Sequence, residues 1–299
     1  MPEAPSPSSI ARAWTGFTRP FTLLAALRTD APSWRRFWIT SSAQALATLA
    51  MAVSLVWLKG GLSPEDGGLG FQQVLNRLAV LNGSLVSAQW VTLALSREFQ
   101  NPVARALCLV AGIAPEDEDE KPRLRLDTKW LFKKLKQRVR GLLVLLPGFM
   151  AFVPIYLVTV TLGVDEFVMP ALMFGWSFYW WCAFTAGRSA RAWRDEEAGT
   201  FPGPVRWWLA RTQSTFGFRW FLPRWVGRFA VYATHRDAAP AVAMERDLPT
   251  FVGLGLARML LSFPLVRLFF RSAIDTAAAD ALEHLPPAKA SATGELQQG

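Results

Sequence analysis

Cysteine and histidine are both scarce in this sequence, which limits the chemistry it can support. The two cysteines, Cys108 and Cys182, lie in apolar segments, so we expect small buried side chains and no disulfide framework. The two histidines are His235 and His284. A histidine-based metal site or catalytic triad is therefore not expected, and no cofactor is predicted.

Motifs typical of catalysis or nucleotide binding are missing as well. The glycines of Gly253–Ala257 have no P-loop lysine and no Rossmann fingerprint, which favours close helix packing there. The acidic run Glu116–Glu120 lacks the spaced ligands and turn glycine of a calcium loop. No nucleic-acid-binding motif accompanies the net charge of +9. We therefore expect neither an enzyme nor a nucleic-acid partner, and we attribute the charge to loops that face anionic lipid.

Long apolar runs are what the sequence has in abundance, since 52% of its residues are hydrophobic. A bilayer core requires about 20 apolar residues per helix. Four runs meet that length: Phe37–Leu58, Phe71–Leu95, Gly141–Leu162 and Phe167–Gly187. The sequence therefore predicts an all-α polytopic membrane protein with about four spanning helices, plus amphipathic or half-inserted helical hairpins.

Three further apolar segments are shorter or interrupted by charge. Residues 100–114 are too few to cross, so a surface helix and a half-inserted segment both fit. Residues 205–233 mix Trp and Phe with arginines, which is typical of one or two helices lying in the interface. Residues 248–270 contain Arg258, Pro264 and Arg267, and a hairpin is as compatible with them as a full crossing.

Lysine and arginine are distributed unevenly between the loops. The segments before the first span, between the second and third, and after the fourth are basic, whereas the turns at Gly60–Gly70 and Gly163–Glu166 contain neither residue. Cytoplasmic loops of membrane proteins carry the excess of Lys and Arg. The pattern predicts a multi-pass protein of the inner (plasma) membrane with both termini in the cytoplasm.

The domain organisation predicted from these features is simple. Residues 1–9 and 286–299 are expected to be disordered tails, and residues 10–285 a single helical membrane domain. Within that domain, residues 115–140 are predicted to form a charged cytoplasmic loop that includes an amphipathic interfacial helix around Lys129–Lys136. The opening residues have no basic start followed by a short apolar core, so no secretory signal peptide is expected.

A candidate anion site lies just before the first span, at Ser33, Trp34, Arg35 and Arg36. Backbone N–H groups at a helix start, together with two guanidinium groups, can bind an oxyanion without a metal. Ordinary interfacial anchoring of the two arginines is the alternative interpretation. Arg77 and Arg258 lie inside apolar segments and are candidates for an ion pathway, although snorkelling to headgroups also accounts for Arg77.

Two stretches of this sequence resemble the CysZ / etoposide-induced protein 2.4 family of membrane proteins. FTRPFTLLAALRTDAPSWRRFWIT is similar to the family's N-terminal amphipathic segment leading into its first long helix, and Ser33–Phe37 resembles its Gly-Leu-Arg-Arg-Phe motif. The segment 251–282 is similar to the family's closing pattern, with Ser262–Leu265 at the turn and Ala277–Ala281 as the run of small residues. The likeness extends loosely over most of the chain.

The resemblance implies an all-helical, oligomeric membrane protein, and in the bacterial branch a sulfate permease of the inner membrane. The oxyanion-binding role of the motif would then fall on Ser33, Trp34 and Arg35, with Arg36 adjacent. Ser33 and Trp34 replace the family's glycine and leucine, and the insert at 116–140 has no counterpart. The resulting hypothesis is a homo-oligomeric permease for sulfate or a related small anion; a non-transporting membrane-shaping or scaffold protein is the alternative.

Overall fold

A computed structural model describes residues 8–58, 71–116, 122–126, 128–193, 201–214 and 221–285. Regular structure in these ranges is entirely helical, which confirms the predicted all-α class. The α-helices in chain order are α1 (Ser9–Leu27), α2 (Ala31–Leu58), α3 (Phe71–Ser96), α4 (Asn101–Val110), α5 (Thr128–Leu162), α6 (Asp165–Ala186), α7 (Gly203–Ser214), α8 (Phe221–Thr234), α9 (Ala238–Arg246), α10 (Leu248–Leu260) and α11 (Pro264–Glu283).

Four helical runs among the described residues are long and apolar enough to cross a bilayer, as predicted. They are Ala31–Leu58, Val74–Val110, Thr128–Leu162 and Asp165–Ala186. The second run joins α3 and α4 through a short 3-10 turn, Arg97–Gln100. Most of the segment that the sequence left open at 100–114 therefore belongs to the same helical run as the second predicted span. These helices indicate an integral membrane protein.

The basic stretch before the third span is not a separate interfacial helix. Lys129–Arg140 forms the first part of α5, which runs without a break from Thr128 to Leu162. Within α5 the first proline is Pro147, so no proline interrupts the helix between its basic and apolar parts. The helix ends at Leu162. The next residue, Gly163, has a backbone φ of 67°, and the chain turns there into α6.

Two compact units make up the chain, and both are discontinuous in sequence. Unit 1 consists of 1–20, 135–258 and 274–299, and unit 2 consists of 21–134 and 259–273. Each unit draws on early and late parts of the chain. The single helical membrane domain predicted over 10–285 stays a prediction. Tails were predicted at 1–9 and 286–299. Residues 1–7 and 286–299 lie outside the described residues, whereas Ser9 is already the first residue of α1.

Unit 1 is built on a very close crossing of α1 and α10. A Cβ placed on Gly253 would come within 1.9 Å of the Ala13 carbonyl oxygen, and one on Gly16 within 2.1 Å of the Thr250 carbonyl oxygen. Glycine at both positions lets the two backbones touch, as small residues do at membrane helix interfaces. The predicted packing role of the glycines near Gly253 is confirmed at this crossing.

The interfacial segment predicted at 205–233 folds as a pair of helices in unit 1. Helices α7 and α8 pack together, and the Trp208 indole donates a hydrogen bond to the Pro223 carbonyl at 3.0 Å. The later segment, 248–270, is broken at Leu261–Phe263, where α10 ends and a turn precedes Pro264. Since α10 is 13 residues long, it spans only about 20 Å and is too short to cross.

Unit 2 contains an antiparallel hairpin of α2 and α3. The Gln44 side chain donates to Ser96 Oγ at 2.8 Å, which sets the register of the pair. With that register, parallel helices would leave Leu58 and Phe71 about 60 Å apart. The connecting segment 59–70 spans at most about 45 Å. The helices must therefore run in opposite directions.

Burial in the hairpin is inverted relative to a water-soluble helix pair. Helix α2 buries Phe37, Ser41, Gln44, Thr48 and Ala52 along one face. Its exposed face carries large apolar side chains: Ile39, Leu46, Leu49, Val53 and Trp57. A soluble helix buries its apolar stripe, so polar groups inside and apolar groups outside indicate a helix surrounded by lipid.

Candidate functional site

The predicted anion motif occupies the first two turns of α2. Helix α2 begins at Ala31, and the Trp34 N–H already donates to the Asp30 carbonyl at 2.9 Å. Pro32 has no N–H, which leaves the Ser33 N–H as the one motif amide without an acceptor among the described residues. Fewer backbone donors are therefore available than the sequence suggested.

Both motif arginines are exposed, and neither forms an ion pair with a described residue. Trp34 lies beside them, with the Arg28 guanidinium 5.9 Å from its ring centroid and the Phe37 ring stacked at 5.3 Å. The start of α2 is therefore an exposed cationic surface supported by aromatic rings. Such a surface suits an anion or a lipid headgroup equally well.

The four motif residues do not share one helix face. Taking Gln44 as the centre of the buried face, helical periodicity places Ser33 about 20° away, Arg36 about 80° away and Arg35 about 180° away. Ser33 therefore lies in line with the buried face of α2, whereas Arg35 lies opposite it. The anion-binding role of this motif stays a prediction.

The two candidate pathway arginines lie in different environments. Arg77 is half-buried near the start of α3, and the hairpin register places it about 40 Å along the axis from Arg35. Arg258, in unit 1, is held by α6: its guanidinium donates to Thr185 Oγ1 at 2.9 Å and lies 4.2 Å from the Trp181 ring centroid. The structure thus separates Arg77 from the motif and gives Arg258 specific local partners.

Sequence reasoning missed a buried cluster of amide and hydroxyl groups in unit 2, which we call the glutamine cluster: Gln44, Ser96, Gln100 and Ser272. Gln100 Nε2 donates to Gln44 Oε1 at 2.6 Å, and Ser272 Oγ donates to Gln100 Oε1 at 2.6 Å. Gln44 in turn donates to Ser96. The signal that could have revealed the cluster is a glutamine inside an otherwise apolar run, because an unpaired amide is costly in lipid.

Three hydroxyls extend the polar interior of the hairpin beyond this cluster. Thr48 on α2 and Ser84 and Thr92 on α3 are all buried, and their side-chain oxygens have no hydrogen-bond partner in the described part of the chain. We call Ser41, Gln44, Thr48, Ser84 and Thr92 the polar stripe. Buried polar groups inside a membrane-length hairpin are expensive and typically mark a functional or tightly packed interior.

Sequence reasoning also missed ion pairs in unit 1, and four of them involve arginines of α1 or of the segment after α6. They are Arg12–Asp247 at 3.2 Å, Arg19–Asp280 at 2.8 Å, Arg191–Glu283 at 2.5 Å and Arg188–Asp275. Three of the four carboxylates, those of Asp275, Asp280 and Glu283, belong to α11. These pairs balance the arginines of α1 and of the segment after α6, so those cations are structural.

Among the described residues, no group of three or more His, Cys, Asp or Glu side chains could hold a metal ion. Outside the spans, burial raises the pKa of Asp237, and the nearby Arg140 and Arg236 partly oppose the shift. No family model, curated protein or solved structure matches this chain. Geometry and sequence together describe a polytopic helical membrane protein. Its first long apolar helix begins with an exposed cationic surface, and a polar interior lies between that helix and the next.

Proposed function

We propose that this chain is an inner-membrane permease for sulfate or a related small oxyanion, with no catalytic activity. The observation that carries the proposal is the polar stripe, which runs along the inside of a hairpin whose outside is apolar. A hydrated ion needs polar partners to cross a bilayer, because lipid offers none. Neutral hydroxyls and amides can replace part of its hydration without holding it too tightly to leave.

The start of α2 supports an anion over a cation as the substrate. Arg35 and Arg36 give this end of the hairpin two exposed positive charges, and Ser33 lies in line with the polar stripe. Fixed cations raise the local concentration of an anion and raise its association rate. Capture at the surface requires only that the guanidinium groups be exposed, so Arg35 can contribute from the opposite helix face. The resemblance of Ser33–Phe37 to an oxyanion-binding motif favours sulfate.

Uptake of labelled sulfate into liposomes tests the proposal. Vesicles containing the full chain should accumulate sulfate above empty vesicles, and unlabelled sulfate should compete better than chloride. Arg35→Ala should lower the initial rate roughly tenfold, as expected for loss of one charge-assisted contact. The matched control is Arg224→Ala on α8, which removes an exposed arginine far along the sequence. Uptake no greater than in empty vesicles would refute a permease.

A non-transporting role in shaping membranes or scaffolding partners is the second candidate. Its supporting observation is the exposed aromatic and basic surface of α7 and α8. Trp207, Trp225 and Tyr232 are all exposed there, and the Arg211 guanidinium lies 5.6 Å from the Trp207 ring centroid. Such helices bind at the headgroup level. Under this alternative, the chain would tubulate vesicles or co-purify with a stoichiometric partner from native membranes while leaving sulfate outside.

A further inference from the structure

A cavity in unit 2 lies where the end of α3 meets the segment 122–126, and its polar lining is dominated by arginine. The polar residues around it are Arg97, Glu98, Asn101, Arg123 and Arg125. Its volume is about 160 Å³, well above the roughly 10–15 Å³ that one water molecule requires. The cavity therefore has room for a small polyatomic ligand. It involves neither the start of α2 nor the polar stripe.

Glu98 organises this cavity through the segment 122–126. One carboxylate oxygen accepts from Arg125 Nε at 3.1 Å, and the other accepts from the Arg123 backbone N–H at 3.0 Å. Both oxygens of the one acidic side chain in the lining are therefore used to hold the 122–126 segment against α3. The Arg123 guanidinium is therefore left without a carboxylate partner among the described residues.

Several donors on the wall remain available for a ligand. Arg125 contacts Glu98 through Nε alone, so the terminal nitrogens of its guanidinium have no acceptor among the described residues. The Arg123 side chain and the Asn101 amide likewise have none there. Guanidinium groups present their N–H donors in a planar fork that matches the oxygens of phosphate or sulfate. Since both oxygens of Glu98 are already engaged, the free guanidinium donors and the Asn101 amide favour a tetrahedral, multiply charged oxyanion over a cation.

We propose that the cavity formed by Arg97, Asn101, Arg123 and Arg125 is a binding site for a tetrahedral oxyanion, either free phosphate or sulfate or the phosphate of an anionic lipid headgroup. Arg123 and Arg125 bind the ligand directly, and Glu98 is a positioning residue that presents them. The site is independent of the transport proposal, since it lies on different residues and requires no translocation.

Binding of inorganic phosphate and sulfate to the purified full chain tests the free-ion form of the site. Isothermal titration in neutral detergent, at constant ionic strength, should give saturable binding of one of these ions. Arg123→Gln should weaken it roughly tenfold, because one charge-assisted contact is lost. The side chain of Arg123 does not hold Glu98, so this variant leaves the Glu98–Arg125 pair in place. Arg224→Gln, which removes one exposed charge from α8, should change the affinity less than twofold.

Nanodiscs test the lipid-borne form. In discs of phosphatidylcholine with a small fraction of phosphatidic acid, the wild-type chain should retain the acidic lipid through detergent extraction, and Arg123→Gln should lose it. Saturable binding of either form that is sensitive to Arg123→Gln supports the proposal and identifies the source of the phosphate. The proposal is overturned if neither form binds, or if Arg224→Gln weakens binding as much as Arg123→Gln does. Sulfate uptake that survives Arg123→Gln would leave transport standing without this site.

Discussion

Replacing Gln100 should destabilise unit 2 by an amount that its hydrogen bonds define. Methionine is the most informative replacement because it is unbranched and of similar length, so the site stays filled while every polar contact of the side chain is removed. Gln100 is buried and joins three partners: it donates to Gln44 Oε1 at 2.6 Å, accepts from Ser272 Oγ at 2.6 Å, and approaches the Leu268 carbonyl at 3.4 Å.

The partners of Gln100 lose unequal amounts. The Ser272 hydroxyl can turn to the Leu268 carbonyl four residues earlier, a bond common in membrane helices, so its loss is small. Gln44 Oε1 has no comparable substitute, and an orphaned buried acceptor costs about 1–3 kcal/mol. Side-chain hydrogen bonds in membranes average only about 0.6 kcal/mol. We therefore expect Gln100→Met to lower the free energy of unfolding by about 1–2 kcal/mol.

Reversible unfolding in mixed micelles, titrated with denaturing detergent, measures this change. Gln72→Met, at an exposed position in the first turn of α3, is the matched control and should change stability by less than about 0.5 kcal/mol. The double variant Gln44→Leu plus Gln100→Met removes both partners and should be less destabilised than the sum of the two single variants, with a coupling of about 1 kcal/mol. A Gln100→Met cost equal to that of Gln72→Met, or strict additivity in the double variant, would refute the reasoning.

Two further predictions concern unit 1 and the hairpin. Gly253→Ala would place a Cβ 1.9 Å from the Ala13 carbonyl oxygen, so it should force the helix crossing apart and cost at least about 1–3 kcal/mol. Gly83→Ala, with open space around its Cβ, should instead stabilise the protein by about 0.5–1 kcal/mol. Thermal unfolding of both variants in detergent gives the comparison, and equal effects would contradict the close crossing. Asp237 has a raised pKa, so the folded state binds its proton more tightly and its contribution to stability is lost as the pH rises through the folded value. Asp237→Asn should therefore be more stable than wild type at pH 7 and no more stable below a pH of about 3.9, and a constant difference across a pH series of melting curves would exclude this role.

The sequence by itself determined the class of this protein and the place of its long helices. Apolar runs of membrane length fix where a helix crosses, because backbone groups in lipid must bond within the segment that carries them. Phe37–Leu58 and Gly141–Leu162 were therefore readable from composition alone, and the structure extends them upstream to Ala31 and Thr128. The break near Pro264 was one of two alternatives that the sequence left open, and the structure places it at Leu261–Phe263.

Tertiary structure alone decided which polar residues meet. Gln44, Gln100 and Ser272 are far apart in the sequence. The apolar run around Gln44 indicates that its amide needs a partner, but it does not indicate which residue supplies one. Arg125 and Glu98 likewise come together only because the segment 122–126 folds back onto the end of α3. The local sequence pattern indicates whether a segment can enter the membrane. Which partner forms a hydrogen bond or ion pair with a given polar side chain depends on helix register and crossing, and these are set by contacts between residues distant in the sequence.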